Sequence, residues 1–221
     1  MKSTLTKIAL TSALIMSSSL MALEIDVKIT NLTNGINFTP LLVSAHTANA
    51  KMYMAGSAAS ANLKAMAEGG DTSGLKTELD TAGADSVENP AGGLLAPGAS
   101  ATTSLSTTTG NNYLSIVAMM LPTNDGFVAM NGVKIPTEAG TYKYVLNAHD
   151  AGTEANTEKT ADIPALANGT GASGLATTSE GFVHIHRGNV GDTDATGGMS
   201  DLDAKTQRFL NPVASVIITV K

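Results

Sequence analysis

Apolar and polar positions alternate at both ends of the chain. In "LEIDVKITN", Ile25, Val27 and Ile29 fall on one side and Glu24, Asp26, Lys28 and Thr30 on the other. A period of two is that of a strand with one buried face. The last residues, "NPVASVIITVK", are rich in β-branched side chains and start after a proline, a residue confined to strand starts and edges. Between these ends the pattern predicts strands at 41–46, 101–107, 113–121, 126–130, 142–148 and 182–187, separated by Gly, Pro, Asn and Ser clusters. Many short strands with such turns predict an all-β antiparallel sandwich.

One segment has helical spacing. In "SAASANLKAMAEGG", Ser57 is placed to cap the first turn, Leu63, Met66 and Ala67 form an apolar stripe, and Gly69 can end the helix in the left-handed conformation. The stretches 71–98 and 153–180 show no sustained period and read as long loops. No internal repeat or charge run divides the chain, so a single domain is expected over 23–221.

The first 22 residues change the setting of this domain. Lys2 and Lys7 precede an apolar run over 8–16, and small residues follow up to Ala22. That order is the pattern of a secretory signal peptide, with cleavage after Ala22, and its apolar run is shorter than the roughly 20 residues a membrane helix needs. Without Lys2 and Lys7, 11 basic residues face 19 acidic ones, a formal charge of −8. Nucleic acid is excluded as a partner, since phosphate neutralisation needs clustered Lys and Arg. No later segment is long and apolar enough to make an integral membrane protein, and the expected location is periplasmic or secreted. The absence of cysteine removes disulfides, thiolate zinc sites and cysteine nucleophiles together.

Three blocks follow one another: "ITNLTNGINFTPLLVSAHTAN" with "MAGSAASANLKAMAEGGD", then "LAPGASATTSLSTTTGNNYLSIVAMMLPTNDGFVAMNGV", then "NAHDAGTEANTE" with "GFVHIHRG" and "NPVASVIITV". In this order they resemble the spondin N-terminal domain family in its bacterial exported form. The resemblance implies a β-sandwich similar to calcium-dependent, lipid-binding domains, with Ca²⁺ held by acidic loop residues at one end.

Two acidic loops carry candidate chemistry. Asp125 sits in the "LPTNDGF" turn, and in "HDAGTE" Gly152 lets the chain curl so that Asp150 and Glu154 can face one point. Ca²⁺ takes six to eight oxygens from carboxylates, backbone carbonyls and water, which such loops can supply. The alternative is that Asp125 and Asp150 only close turns through their own side chains. In "DTDATGGMSDLD", Asp192, Asp194, Gly197 and Asp203 occupy the first, third, sixth and twelfth positions of an EF-hand loop. Thr196 stands in the fifth position and the flanks are not helical, so a solvated acidic turn competes with a metal site.

Four histidines remain. His184 and His186 share one face of the 182–187 strand, with Val183 and Ile185 expected toward the core. Two imidazoles at that spacing can bind Zn²⁺ or Cu²⁺ if a third ligand, His46 or His149, reaches them. The competing reading is that the rings stand on an outer face or bond to loops. "GTGASG" (169–174) lies in a glycine-rich loop with no strand-to-helix turn to make it phosphate-binding, and no serine occupies a G-x-S-x-G elbow. No catalytic residue is assigned, and an enzyme is not expected.

The leading expectation is an exported calcium-binding β-sandwich with Asp125, Asp150 and Glu154 as ligands. It would act in ion-dependent adhesion or binding to a glycan, lipid surface or protein of the envelope or exterior. The alternative is a periplasmic Cu²⁺ or Zn²⁺ binding protein using the histidines. A hydrolase acting on envelope material through loop carboxylates ranks third.

Overall fold

The computed structural model describes residues 22–163, 166, 178–194 and 197–221. Residues 1–21 of the expected leader, the "GTGASG" motif and Thr196 lie outside the described residues. In chain order the elements are β1 (Glu24–Asn31), β2 (Asn37–Phe38), β3 (Leu42–His46), α1 (Ala61–Gly69), α2 (Ser73–Thr81), β4 (Asp85–Glu88), β5 (Ser100–Ser106), β6 (Tyr113–Leu121), β7 (Gly126–Lys134), β8 (Gly140–Asp150), β9 (His184–Ile185) and β10 (Ala214–Val220). The ladder runs β4-β3-β6-β7-β8-β10-β1-β5, with β2 on β6 and β9 on β8, and every strand pair in it is antiparallel.

The two ends of this path approach each other. Just after β5, Thr108 donates to Asp85 of β4 through its backbone N–H (2.6 Å) and its hydroxyl (2.7 Å), and Asn111 adds a third bond (2.9 Å). The sheet therefore curls into a nearly closed, sandwich-like all-β fold. Its interior is filled by the apolar sides of the alternating strands, including Ile25, Val27, Ile29, Ile116, Val128, Val216 and Ile218.

A second apolar layer lies outside the curl. Leu63 and Met66 of α1 and Leu75 and Leu79 of α2 cluster with Leu42, Val117, Met119 and Phe127. Strand β6 is thus buried on both faces, the physical reason that "YLSIVAMML" reads as a nearly continuous apolar run.

Several boundaries differ from the sequence reading. The helix cap is Ser60, whose side chain accepts from Leu63 N–H, and the left-handed C-cap is Gly70 (φ 73°), not Ser57 and Gly69. The 71–98 stretch is not a loop throughout, since it holds α2 and β4. Only Leu75 and Leu79 are buried in α2, one pair of sites four apart, too few to mark a period. The expected 182–187 strand is reduced to β9, which pairs His149 with Ile185 and Asp150 with His184. Val183 is buried as expected, but Ile185 is 52% exposed while His186 is buried. A two-residue strand on one neighbour cannot hold the alternation, and Gly188 turns the chain away with φ 92°.

Candidate metal centre

The acidic site is assembled by the pairing of β7 with β8. Gly126, the first residue of β7, pairs with Asp150, the last of β8, so the turn that ends in Asp125 lies beside the "DAGTE" loop. Ala151 N–H donates to Asp125 O at 3.2 Å and locks the two segments together. Oδ2 of Asp125 accepts from Thr153 N–H (2.7 Å), the Thr153 hydroxyl (3.2 Å) and Glu154 N–H (3.1 Å). Oδ1 of Asp125 is buried with no hydrogen-bond partner. Asp150 accepts from Gly152 N–H at Oδ1 (2.8 Å) and from the Asn156 amide at Oδ2 (2.7 Å). The Gly152 bond closes a turn through the aspartate's own side chain.

Asp125, Asp150 and Glu154 are each 0% exposed. Burial, and then the charge of Asp150, push the Asp125 carboxyl up to about 7 despite the bonds from Thr153 and Glu154. Among the described residues no Lys or Arg forms an ion pair with Asp125 or Asp150; the basic groups near Asp150 are His184 and His186.

The four histidines divide by what their ring nitrogens bond. A carbonyl oxygen can only accept and a backbone N–H can only donate, so these partners fix each neutral tautomer. His46 Nδ1 donates to Thr47 O (2.7 Å), and its Nε2 accepts from the Ser115 hydroxyl (2.7 Å). It pairs with Tyr113 at the start of β6, whereas Asp125 follows the end of that nine-residue strand, about 25 Å away. His149 Nδ1 donates to Asn147 O (3.2 Å), its Nε2 accepts from the Tyr53 hydroxyl (3.1 Å), and its ring stacks on Phe127. Both ring nitrogens of His46 and of His149 are thus engaged in hydrogen bonds. Burial holds both below the usual histidine range.

His186 is buried, and its Nδ1 accepts from Gly188 N–H at 2.8 Å. Its proton therefore sits on Nε2, 4.0 Å from Asp150 Oδ2. Burial pushes this imidazole down to about 4. His184 has the opposite arrangement: Nδ1 donates to Ile185 O at 2.9 Å, and its buried Nε2 has no hydrogen bond. That nitrogen faces Asp150 Oδ1 at 3.6 Å and Glu180 Oε1 at 3.9 Å. Ligand atoms of Asp150, Glu180 and His184 all lie within 4.8 Å of one another.

Gly152 brings the 180–184 segment here. It has φ 66°, it accepts from Gly181 N–H at 2.9 Å, and a Cβ at this position would lie 2.3 Å from Phe182 O. Glu180 was missed because it lies at the end of a stretch with no periodic pattern, and only this fold-back places it beside Asp150.

The 192–203 loop is a turn closed by its own backbone. Asp192 accepts from Asp194 N–H (2.9 Å), Met199 N–H (2.9 Å) and Ser200 N–H (3.0 Å), which hold its carboxyl below the usual range. Asp203 pairs with Asp192 in an isolated bridge and accepts from Lys205 N–H at 2.8 Å. Asp192 thus spends both carboxylate oxygens on the loop itself.

No helix among the described residues is long and apolar enough to cross a membrane. No curated protein matches the chain. The Spondin_N family model matches residues 30–170, a span that contains Asp125, Asp150 and Glu154 and more than half of the sequence. On that match the chain belongs to the Spondin_N family, the spondin N-terminal domains, whose members are generally extracellular.

Proposed function

We propose that this protein is an exported calcium-binding β-sandwich that mediates ion-dependent adhesion or binding at the cell envelope or outside the cell. One observation carries the reading: Asp125, Asp150 and Glu154 are fully buried on adjoining loops, and a buried oxygen of Asp125 has no hydrogen bond. An uncompensated buried carboxylate costs several kcal/mol, and Asp150 raises that cost for Asp125. A hard divalent cation supplies the missing charge and prefers carboxylate, carbonyl and water oxygens. Asp125, Asp150 and Glu154 would hold it, and the ion would tie the β6–β7 turn to the loop after β8. The acidic surface repels anionic glycan or lipid, and a bound Ca²⁺ offsets that repulsion locally.

Thermal unfolding after chelation, and again with added Ca²⁺, tests the site. Ligand at about 100 times Kd stabilises by about 2.7 kcal/mol, which for a chain of this size raises Tm by about 5–10 °C. Asp125→Asn keeps the acceptor for Thr153 and Glu154 but removes a buried charge beside Asp150. The variant should melt higher than the metal-free wild type and show no response to Ca²⁺. A Tm indifferent to chelator and Ca²⁺ alike would overturn the proposal.

A further inference from the structure

Beside Asp150, His184 and Glu180 offer a chemistry different from that of the acidic loops. Both residues lie beyond the span of the family match. In the neutral ring the bond to Ile185 O places the proton on Nδ1, so the Nε2 lone pair of that form faces Asp150 Oδ1 and Glu180 Oε1. A lone pair facing two carboxylates is repulsive unless something positive stands between them. A shared proton would draw nitrogen and oxygen to about 2.7–2.9 Å. The observed separations of 3.6 and 3.9 Å are too long for that. They lie close to the ligand–ligand edge of about 3.4 Å implied by a tetrahedral ion with bonds near 2.1 Å.

We propose that Asp150, Glu180 and His184 form a binding site for a divalent transition-metal ion of the zinc type, with His184 ligating through Nε2 and water completing the coordination. Imidazole nitrogen selects such ions over Ca²⁺, which prefers oxygen alone. Three protein ligands with one open position is the arrangement of an accessible zinc site, not a closed structural one. Glu180 stands at the open side, its carboxylate 38% exposed, while Asp150 is at the buried side.

His186 differs from His184 despite their close spacing. Its Nδ1 is committed as an acceptor from Gly188 N–H, so Nε2 carries a proton and has no lone pair for a metal. Nearly buried and without a hydrogen bond at Nε2, it directs that N–H toward Asp150 Oδ2. At 4.0 Å it makes no hydrogen bond to Asp150 and stays outside the ligand set. The two histidines of "HIH" thus differ in whether Nε2 has a lone pair to offer, because one ring is turned by Ile185 O and the other by Gly188 N–H.

The test is calorimetric titration of the purified, chelator-stripped protein with Zn²⁺ in the presence of saturating Ca²⁺. The expected result is one Zn²⁺ per chain. His184→Asn retains a side-chain donor for Ile185 O and deletes Nε2, and it should weaken Zn²⁺ binding by more than about 100-fold. Glu180→Gln should weaken it by at least about tenfold. His186→Gln, which keeps a donor toward Asp150, should stay within about tenfold of wild type. His184 and Glu180 are partly exposed and take no part in the calcium proposal, so their variants should fold and keep any Ca²⁺-dependent rise in Tm. No Zn²⁺ binding, binding unchanged by His184→Asn, or binding lost as fully in His186→Gln as in His184→Asn would overturn the assignment. If Ca²⁺ leaves the wild-type Tm unchanged while Zn²⁺ binding depends on His184, the calcium reading fails and this one stands.

Discussion

His46 shows what a structural histidine costs. Its ring is fully buried, both nitrogens are bonded, and burial lowers its proton affinity below the ordinary value of about 6.5. The unfolded chain therefore takes up a proton at a higher pH than the folded one. The stability tied to neutral His46 is fully present above about pH 6.5 and is lost as pH falls toward the folded value. Urea unfolding between about pH 8 and 5 should show declining stability on the acid side. His46→Gln should flatten that decline by up to about 1.4 kcal/mol per pH unit, the slope of one proton. Equal slopes in the two proteins would remove His46 from the account. At this scale the sequence revealed the residue types and little of their division of labour. Asp125, Asp150 and Glu154 could be found because they stand in turns with Gly nearby. The tautomers could not, because each is set by a carbonyl, a hydroxyl or an N–H whose position exists only after folding. Three histidines at 46, 149 and 186 look equivalent to His184 in the sequence and differ from it in a single hydrogen-bond partner each.

Elements with long alternating or continuous apolar runs were legible, and short ones were not. β1, β6 and β10 are predicted nearly to the residue because each carries several buried positions in register. α2 and β4 escape because their burial is supplied by neighbours: α2 contributes two leucines, and β4 is an edge strand with no fully buried side chain. β9 is shorter than expected because its place depends on a contact 30 residues earlier, at Gly152. That glycine couples the element scale to the site. With φ 66° it adopts a conformation that side chains rarely tolerate, and the virtual Cβ meets backbone atoms of Phe182 that cannot rotate away. Gly152→Ala should cost at least about 1–2 kcal/mol in urea unfolding, more than the roughly 1 kcal/mol usual for a left-handed position alone. The same variant should weaken Zn²⁺ binding, since the segment carrying Glu180 and His184 is displaced. A variant as stable as wild type would mean that the 180–184 segment is not held by this contact.

On the scale of the molecule, the order of strands makes the two termini mutually dependent. β10 lies between β8 and β1, and β1 lies between β10 and β5, so the ends of the chain form the interior of the ladder instead of its edges. The span matched by the family model, 30–170, leaves out β9, β10 and all but the last two residues of β1. Ile25, Val27, Ile29, Val216, Ile218 and Val220 are all buried in the main core. At about 1.5–3 kcal/mol for each buried Val or Ile side chain, these six contribute about 9–18 kcal/mol. A domain's whole net stability is about 5–15 kcal/mol. Removing them also leaves β5 with no partner strand and opens one edge of β8. A fragment of residues 30–170 should therefore show no cooperative unfolding by circular dichroism or urea titration, whereas a chain of residues 23–221 should unfold in one transition. The fragment should also lack the Ca²⁺-dependent shift in Tm although it contains Asp125, Asp150 and Glu154, because β9, which pairs with His149 and Asp150 on the side of β8 opposite β7, is missing from it. A fragment that melts cooperatively and responds to Ca²⁺ would show that the site is organised locally by its two loops, and that the curled sheet is not required to hold it.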